Sequence, residues 1–218
     1  MRTDLASPPS DRRSRRSAEL RERLFRAALD LFAKKGFAET TVEDITNAAD
    51  VGKGTFFNYF PSKDHILLAF GEMQLAKLQS AVEEARQTAE PLSQFLRSLG
   101  SRMTEEPTRN PAIIRAVLQA YLSSTPVREA MMDLQKRVLE LHSEMIRLGQ
   151  QKGEIRDDLP ALEIAQVFRQ AIFGTLLIWS LYGDGSLLPR MEAAFEVLWK
   201  GLESRNPRPV ASVLPMFW

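Results

Sequence analysis

Residues 40–64 constrain the fold more than any other stretch of this chain. Their sequence is TTVEDITNAADVGKGTFFNYFPSKD. Thr41 stands where a helix N-cap belongs, and Asp44 follows it at the spacing of a capping box. Val42, Ile45 and the alanines behind them then recur at helical spacing, so a short helix with a narrow apolar face is predicted.

A second short helix is predicted directly after an interruption at residues 50–52. It runs from Lys53 to Phe60, because Pro61 disfavours helical geometry at the residue before it. Ser62 is predicted to cap the helix that follows. Two short helices joined by a turn containing Gly are typical of the helix-turn-helix, which places its second helix in the major groove of DNA.

The stretch 51–63, VGKGTFFNYFPSK, resembles the recognition-helix signature of the TetR family of bacterial transcriptional regulators. The preceding AALDLFAKKGFAETTVEDITNAADV resembles the first two helices of that family, and the resemblance covers roughly residues 17–70. The chain departs from the family pattern twice, with Gly52 in place of the usual Ser cap and Phe57 in place of the usual Tyr. The first change predicts a weaker helix cap, and the second removes a hydroxyl that could reach a phosphate.

The resemblance implies an all-α fold with an N-terminal three-helix DNA-binding head and a larger C-terminal helical body for ligand binding and dimerisation. The predicted divisions are a flexible basic arm (1–16), the helix-turn-helix domain (17–64), the body (65–204) and a Pro-rich tail (205–218). Helical periodicity and the Pro and Gly breaks predict helices near 17–35, 62–88, 91–104, 110–123, 127–151, 160–182 and 186–204.

Composition excludes several classes of protein. The 218 residues include no Cys, which excludes a disulfide framework and a cysteine nucleophile and favours a reducing cytoplasm. The longest apolar run, 171–181, is too short to span a bilayer, so no membrane association is expected. The net charge is +1, but residues 1–26 hold eight Arg and four acidic residues. Positive charge beside a helix-turn-helix is typical of phosphate binding, although residues 1–10 fit a solvated leader equally well.

Carried onto this chain, the resemblance implies a DNA-reading surface on the recognition helix, with anchoring residues around it. Asn58 is expected to pair with adenine, and Phe57 to touch a thymine methyl group. Lys53 and Lys63 are expected to hold phosphates. The full predicted set is Arg15, Arg16, Thr40, Thr41, Lys53, Gly54, Thr55, Phe57, Asn58, Tyr59 and Lys63. Phe56 and Phe60 are expected to be core, and Thr41 to be both cap and contact.

One helix-turn-helix buries too little surface for tight specific binding, so a homodimer on a palindromic operator is expected. The last two long helices carry apolar stripes suited to an interface across a two-fold axis. The predicted interface residues are Phe168, Ile172, Thr175, Trp179, Met191, Phe195 and Leu198. A second stripe, Val167, Ala171, Gly174 and Ile178, lies on the adjoining side of the same helix.

In the TetR resemblance the middle helices enclose a pocket for a small-molecule effector. The candidate lining residues are Phe95, Leu99, Met103, Leu118, Tyr121, Leu122, Met131, His142, Arg169, Phe173 and Leu177. Each apolar member fits a core role as well as a pocket role, and His142 fits a structural role better than a ligand-binding one. Arg169 interrupts an apolar helix and requires a partner, either an internal carboxylate or an anionic effector.

These features predict a cytoplasmic, sequence-specific regulator. The TetR resemblance, not the sequence features themselves, implies a repressor released by a hydrophobic or amphipathic effector. No catalytic constellation, metal site or cofactor motif is visible, and no enzyme activity is expected. The alternative is a helical ligand-binding or docking module with weakened DNA binding, which Gly52 and Phe57 would favour. The sequence identifies neither the effector nor the operator, and it gives the apolar tail no role.

Overall fold

The computed structural model describes residues 9–204, except residues 110, 124, 183 and 184, and confirms the all-α prediction. The predicted tail and the first eight residues of the predicted arm lie outside the described residues. The helices are α1 (Pro9–Lys35), α2 (Val42–Ala48), α3 (Lys53–Phe57), α4 (Asp64–Gln87), α5 (Leu92–Arg109), α6 (Ala112–Ser123), α7 (Thr125–Lys152), α8 (Ala161–Tyr182) and α9 (Leu187–Leu202). Within the described part, an isolated antiparallel bridge between Ile155 and Glu203 joins the loop after α7 to the end of α9.

The predicted start of the first helix at residue 17 is wrong, because α1 already begins at Pro9. Proline is favoured in the first turn of a helix, where its missing N–H has no intrahelical partner to lose. Residues 9–16 of the predicted flexible arm are therefore helical. Gly36 ends α1 as expected, with a φ of 87° that a residue with a Cβ rarely adopts.

Three further boundaries differ from prediction. The recognition helix α3 ends at Phe57 rather than Phe60. Ser62 does not cap α4, since its hydroxyl contacts the side chains of Asp64 and His65 instead. Pro107, predicted as a break, lies in the last turn of α5.

The capping box at the start of α2 is confirmed. The Thr41 hydroxyl accepts a hydrogen bond from the Asp44 amide at 3.1 Å, and the Thr41 amide donates to Asp44 Oδ2 at 2.7 Å. Lys35 lies 2.6 Å from the same carboxylate. These donors hold the pKa of Asp44 well below its usual value, with the Lys35 hydrogen bond as the largest cause. The turn between α2 and α3 places Asp50 at a φ of 50°, a conformation that Asp tolerates better than most residues.

The apolar core is continuous from the head into the body. Leu24, Phe32 and Phe56 of the head belong to the same buried cluster as Leu67 of α4 and Ile113 of α6. A second cluster joins the later part of α4 to α5, α7, α8 and α9. The predicted division between residues 64 and 65 stays a prediction, and the core crosses it through α4.

An ion pair also joins the head to the body. Arg26 of α1 donates to Glu106 of α5 at 2.6 Å, and the Glu106 side chain is 8% exposed. A buried carboxylate that loses its charged partner keeps the full cost of desolvation. Glu106 therefore depends on Arg26, because its other cation, Arg109, lies 3.9 Å away.

Replacing Arg26 by Ala should lower the free energy of unfolding by about 1–3 kcal/mol, since Glu106 is left buried with a distant partner. Arg109→Ala is the matched control, and it should change stability by less than about 1 kcal/mol because Arg109 is mostly exposed. Urea denaturation followed by circular dichroism measures both. Equal losses in the two variants would contradict a dominant role for Arg26.

Candidate DNA-binding surface and ligand cavity

The segment 53–60, which comprises α3 and the turn after it, has one buried and one exposed face. Phe56 and Phe60 are buried and contact each other with ring centroids 5.8 Å apart, as the sequence predicts for core residues. On the opposite face, Lys53, Gly54, Phe57 and Asn58 are exposed, and Thr55 and Tyr59 are half-buried. The predicted reading residues of α3 are thus available to a ligand as large as a DNA duplex.

The start of α1 lies beside the recognition helix. The Ser17 hydroxyl is 3.3 Å from the hydroxyl of Tyr59, two residues after α3, so the basic end of α1 lies close to the end of α3. Arg15 and Arg16 are exposed there, as predicted. Arg13 is exposed too, and it shares the face of Ser17 because it stands four residues earlier in the helix. The sequence prediction omitted Arg13 because the helix was expected to begin later.

The two threonines before α2 are not equivalent. Thr41 is exposed, so its methyl group and hydroxyl face solvent while it caps the helix. Thr40 is fully buried, and its hydroxyl donates to the carbonyl of Gly36 at 2.7 Å. The prediction that the Thr40 side chain contacts DNA is therefore wrong, because it is enclosed by its own turn.

Lys63 is half-buried and is held by the loop between α1 and α2. Its ammonium group donates to the carbonyls of Phe37, Ala38 and Thr40 at 2.8, 3.1 and 3.0 Å. It also lies 4.6 Å from the centre of the Phe37 ring. An ammonium group has three N–H donors, so none remains for a phosphate. In this structure the ammonium group of Lys63, predicted to bind a phosphate, instead closes the loop between α1 and α2 through these three hydrogen bonds.

The body contains a cavity of about 520 Å³, enclosed by side chains from α4 to α9. This volume lies in the range of sites that hold small organic ligands. Six of the predicted residues line it: Leu99, Met103, Met131, His142, Arg169 and Phe173. The other five, Phe95, Leu118, Tyr121, Leu122 and Leu177, are not part of the wall. Phe95 is buried core, and Leu122 is 68% exposed.

Gln74 is a cavity residue that the sequence prediction missed. Pro107 has no N–H, so it cannot bond the carbonyl of Met103 one turn earlier. The Gln74 amide nitrogen donates to that carbonyl at 3.1 Å. Its Oε1 is then buried beside the cavity with no hydrogen-bond partner. The proline in α5 was the signal in the sequence, but the residue that compensates for it lies on a different helix.

Two further polar groups of the cavity wall are incompletely satisfied. His142 Nδ1 is buried without a partner, as is Nε of Arg169. Arg169 Nη1 donates to Gln135 Oε1 at 2.8 Å, and the His142 ring meets Phe168 edge-on. Burial, and to a smaller extent the positive charge of Arg169, lowers the pKa of His142 to about 4. His142 is therefore neutral near physiological pH.

The residues predicted for the dimer interface point mostly inward. Trp179, Met191 and Phe195 are buried within the chain, and Phe168 and Ile172 line the cavity. Thr175 and Leu198 are half-buried. Buried side chains cannot contact a second copy without opening the monomer, so the prediction placed most of the interface on the inner face of α8 and α9.

The outer face of these helices is the exposed apolar one. Its large side chains are Val167, Ile178, Leu181, Tyr182 and Val197, all more than 45% exposed. In the described part of the chain, α8 alone has the length and composition of a membrane-spanning helix, and 17% of its most apolar 18 residues are buried. The helix exceeds the apolar run that the sequence showed, because it includes residues before 171.

Known proteins resemble both the helix-turn-helix region and most of the rest of the chain. Residues 24–70 match the family model of bacterial regulatory proteins, tetR family. The HTH-type transcriptional regulator EthR of Mycolicibacterium smegmatis is 29% identical over 169 residues, 73% of this chain and 74% of EthR. The HTH-type transcriptional repressor KstR of Rhodococcus jostii is 25% identical over 90% of both chains. A solved structure of Thermus thermophilus FadR, a TetR-family repressor in complex with lauroyl-CoA, superposes with a TM-score of 0.62 at 29% identity, covering 87% of this chain and 97% of FadR.

Lys63→Met should lower the free energy of unfolding by about 1–3 kcal/mol, because three loop carbonyls lose a charged donor. Lys53→Met, on the exposed face of α3, should leave stability within about 0.5 kcal/mol of wild type. It should instead weaken binding to any DNA duplex and reduce the salt slope by about 0.9. Urea denaturation and fluorescence polarisation with duplex DNA separate the two effects. A stable Lys63→Met protein that binds DNA poorly would instead identify Lys63 as a phosphate contact.

The pH dependence of stability should carry a contribution from His142. The unfolded chain binds a proton at His142 below about pH 6.5, whereas the folded chain does so only below about pH 4. The contribution of His142 to the free energy of unfolding is thus fully present above about pH 6.5. It is lost as the pH drops towards 4, by about 3 kcal/mol in total. Urea denaturation of wild type and His142→Gln at several pH values in this window measures the difference. Two parallel pH profiles would contradict this contribution.

Proposed function

We propose that the chain is a DNA-binding transcriptional regulator of the tetR family, a repressor that binds a palindromic operator as a homodimer. In this proposal a hydrophobic or amphipathic small molecule enters the cavity and releases the DNA. The main support for this proposal is that α3 has one buried and one exposed face, and that its exposed residues lie beside the arginine-rich start of α1.

The exposed face of α3 supports sequence reading in the major groove. Asn58 offers both a donor and an acceptor, which is the pattern that recognises adenine. Thr55 and Phe57 can contact thymine methyl groups, and Gly54 lets the backbone approach the duplex closely. Lys53 would hold a phosphate, as would Arg13, Arg15 and Arg16 on α1. Tyr59 contributes through its bond to Ser17, which orients the two elements relative to each other.

The exposed apolar face of α8 supports a dimer. A soluble protein rarely leaves a continuous apolar patch of this kind uncovered. Val167, Ala171, Gly174 and Ile178 follow one another at helical spacing on this face, and a Cβ built on Gly174 would meet no other atom within 4 Å. The small residues allow a second helix to approach closely, so two copies related by a two-fold axis would cover the patch. Such symmetry matches a palindromic operator.

The cavity supports an effector site in the body. Its wall is mainly apolar and includes Met103, Met131 and Met145, whose side chains adapt readily to a ligand's shape. The FadR structure holds lauroyl-CoA, which supports molecules with an acyl chain as the first class to test on this chain. In linkage terms, a molecule that binds the DNA-free form more tightly must lower the affinity for DNA.

The same comparison supports a non-enzymatic, cytoplasmic protein, since the relatives are transcriptional regulators. One observation favours the rival function, a docking module with weakened DNA binding. Gly52, the N-cap of α3, makes no side-chain hydrogen bond to the helix. A serine at this position would satisfy one more amide of the first turn. A test of DNA binding therefore has to distinguish a repressor from a docking module.

Fluorescence polarisation with duplex DNA from the gene's own upstream region tests the proposal. A repressor should bind this duplex at least about 10³-fold more tightly than an unrelated one at physiological salt. The logarithm of the binding constant should fall linearly with the logarithm of salt concentration, since phosphate contacts release counterions. Equal weak binding to both duplexes would favour the docking module.

The dimer is tested in the same assay with Ile178→Asp. A charge at this exposed position should leave the monomer folded but separate the two copies, which lowers the apparent operator affinity by more than about tenfold. Leu122→Asp is the matched control, because Leu122 is 68% exposed and belongs to a different helix, α6. Sedimentation velocity should show a monomer for Ile178→Asp and a dimer for the control. A dimeric Ile178→Asp protein with unchanged affinity would contradict this interface.

A further inference from the structure

Arg169 brings a positive charge into a mainly apolar cavity wall. It lies on α8, flanked by the cavity residues Phe168 and Ile172. One guanidinium nitrogen donates to the neutral Gln135 at 2.8 Å, while Nε is buried and has no hydrogen-bond partner. Among the described residues, no carboxylate oxygen lies within 4.0 Å of the guanidinium group. The charge is therefore hydrogen-bonded in part but not neutralised.

The groups that face Arg169 do not supply the missing negative charge. Gln135 and His142 of α7 are both neutral. Gln135 accepts a hydrogen bond from the guanidinium group, and His142 lies near its charge. Glu192 also lines the cavity, but its side chain is exposed and forms no ion pair with Arg169.

Arg97, the other arginine of the wall, already pairs with Glu196 at the α5–α9 side of the cavity. Arg169 is half-buried, and its buried Nε donor has no hydrogen-bond partner. A buried donor without an acceptor is costly, and a bound anion would supply that acceptor.

We propose that Arg169 binds the carboxylate of the effector, and that the effector is an apolar monocarboxylic acid rather than its ester or thioester. The inference rests on the proposed function, in which the cavity is the effector site. Arg169 carries one positive charge, which matches the single negative charge of a carboxylate. A phosphate monoester would bring a second negative charge into an apolar wall that offers no second unpaired cation among its described residues.

The hydrogen-bonding groups fit the same ligand. The edge of a guanidinium group offers parallel N–H donors, and Nε is one of the two that bind a carboxylate in bidentate fashion. Gln135 is a positioning residue, because its bond to Nη1 leaves the Nε edge free. The neutral His142 can donate from Nδ1 to the same carboxylate in one of its two tautomers. The remaining wall is mainly apolar and would enclose the hydrocarbon part of the acid.

The experiment compares three probes by isothermal titration calorimetry on the full chain. Dodecanoate, methyl dodecanoate and dodecanoyl-CoA share one hydrocarbon chain, and only the first has a free carboxylate at its end. Wild type should bind dodecanoate at least about tenfold more tightly than either of the other two, the change expected from one charge-assisted hydrogen-bonded pair. Equal affinity for dodecanoate and its methyl ester would overturn the proposal, as would no detectable binding of dodecanoate.

Variants assign the preference to Arg169. Arg169→Gln should lose the preference for dodecanoate over the methyl ester, whereas Arg169→Lys should keep part of it because the charge remains. Arg97→Gln is the matched control, since it removes an arginine of the same cavity that already has a carboxylate partner. Circular dichroism and urea denaturation confirm that the variants are folded. An Arg169→Gln protein that retains the full preference would overturn the assignment, even if the wild type binds the acid.

The same probes, added to the operator-binding assay, separate this inference from the proposed function. Dodecanoate that binds with the expected preference but leaves operator affinity unchanged would support the carboxylate site and contradict release by an effector. Release of DNA by methyl dodecanoate and dodecanoate at equal concentrations would support the effector role of the cavity and overturn the role of Arg169.

Discussion

Helix α4 is the constraint on which the rest of the structure depends, because it belongs to the head and to the body at once. Ile66, Leu67 and Phe70 pack in the same cluster as the core of the helix-turn-helix. Leu78 and Val82, further along the helix, pack against α5 and α7. Close-packed interiors transmit displacement instead of absorbing it. A shift at one end of α4 must therefore be accommodated by both clusters.

The wall of the cavity includes the middle of this same helix, with Leu67, Gly71 and Gln74 among its residues. Helix α5 gives a second connection, since Met103 and Pro107 line the cavity while Glu106 between them is paired with Arg26 of α1. In the switch that we propose, a ligand acts on the head through these two routes. Both are contacts with named partners, so the coupling can be measured as a change in operator affinity when either is removed.

The helix-turn-helix could be predicted from the sequence because its signals are local. The capping box at Thr41, the stop at Pro61 and the apolar spacing all lie within a few residues of the structure that they specify. The start of α1 was missed for the opposite reason, since residues 9–16 show no apolar face and their helix follows from Pro9 and from continuity with the later turns. The hydrogen bonds of Lys63 were missed because its three acceptors are carbonyls more than twenty residues away in sequence.

Only some of the residues predicted to line the cavity do so, because periodicity shows which residues are apolar but not which of them border empty space. Met103 and Phe95 both read as interior residues, and the packing of separate helices alone makes one a wall and the other core. Gln74 was invisible for a related reason, because the carbonyl that it bonds is freed by a proline on another helix. Arg169 was recognised as requiring a partner, and the structure excludes an internal carboxylate among the described residues.

Helix α8 shows why most of the residues predicted for the interface are buried in the fold, and it also joins the two functions that we propose for the body. It is apolar around most of its circumference, so no single stripe in the sequence distinguishes the inner face from the outer one. Folding buries Ile164 and Trp179 and turns Arg169 and Ile172 to the cavity, while Val167 and Ile178 remain exposed. The carboxylate site and the dimer interface that we propose are therefore opposite faces of one rigid helix. In the proposed dimer this outer face would set the spacing of the two recognition helices. A ligand that displaces Arg169 would then act on that spacing through the same helix.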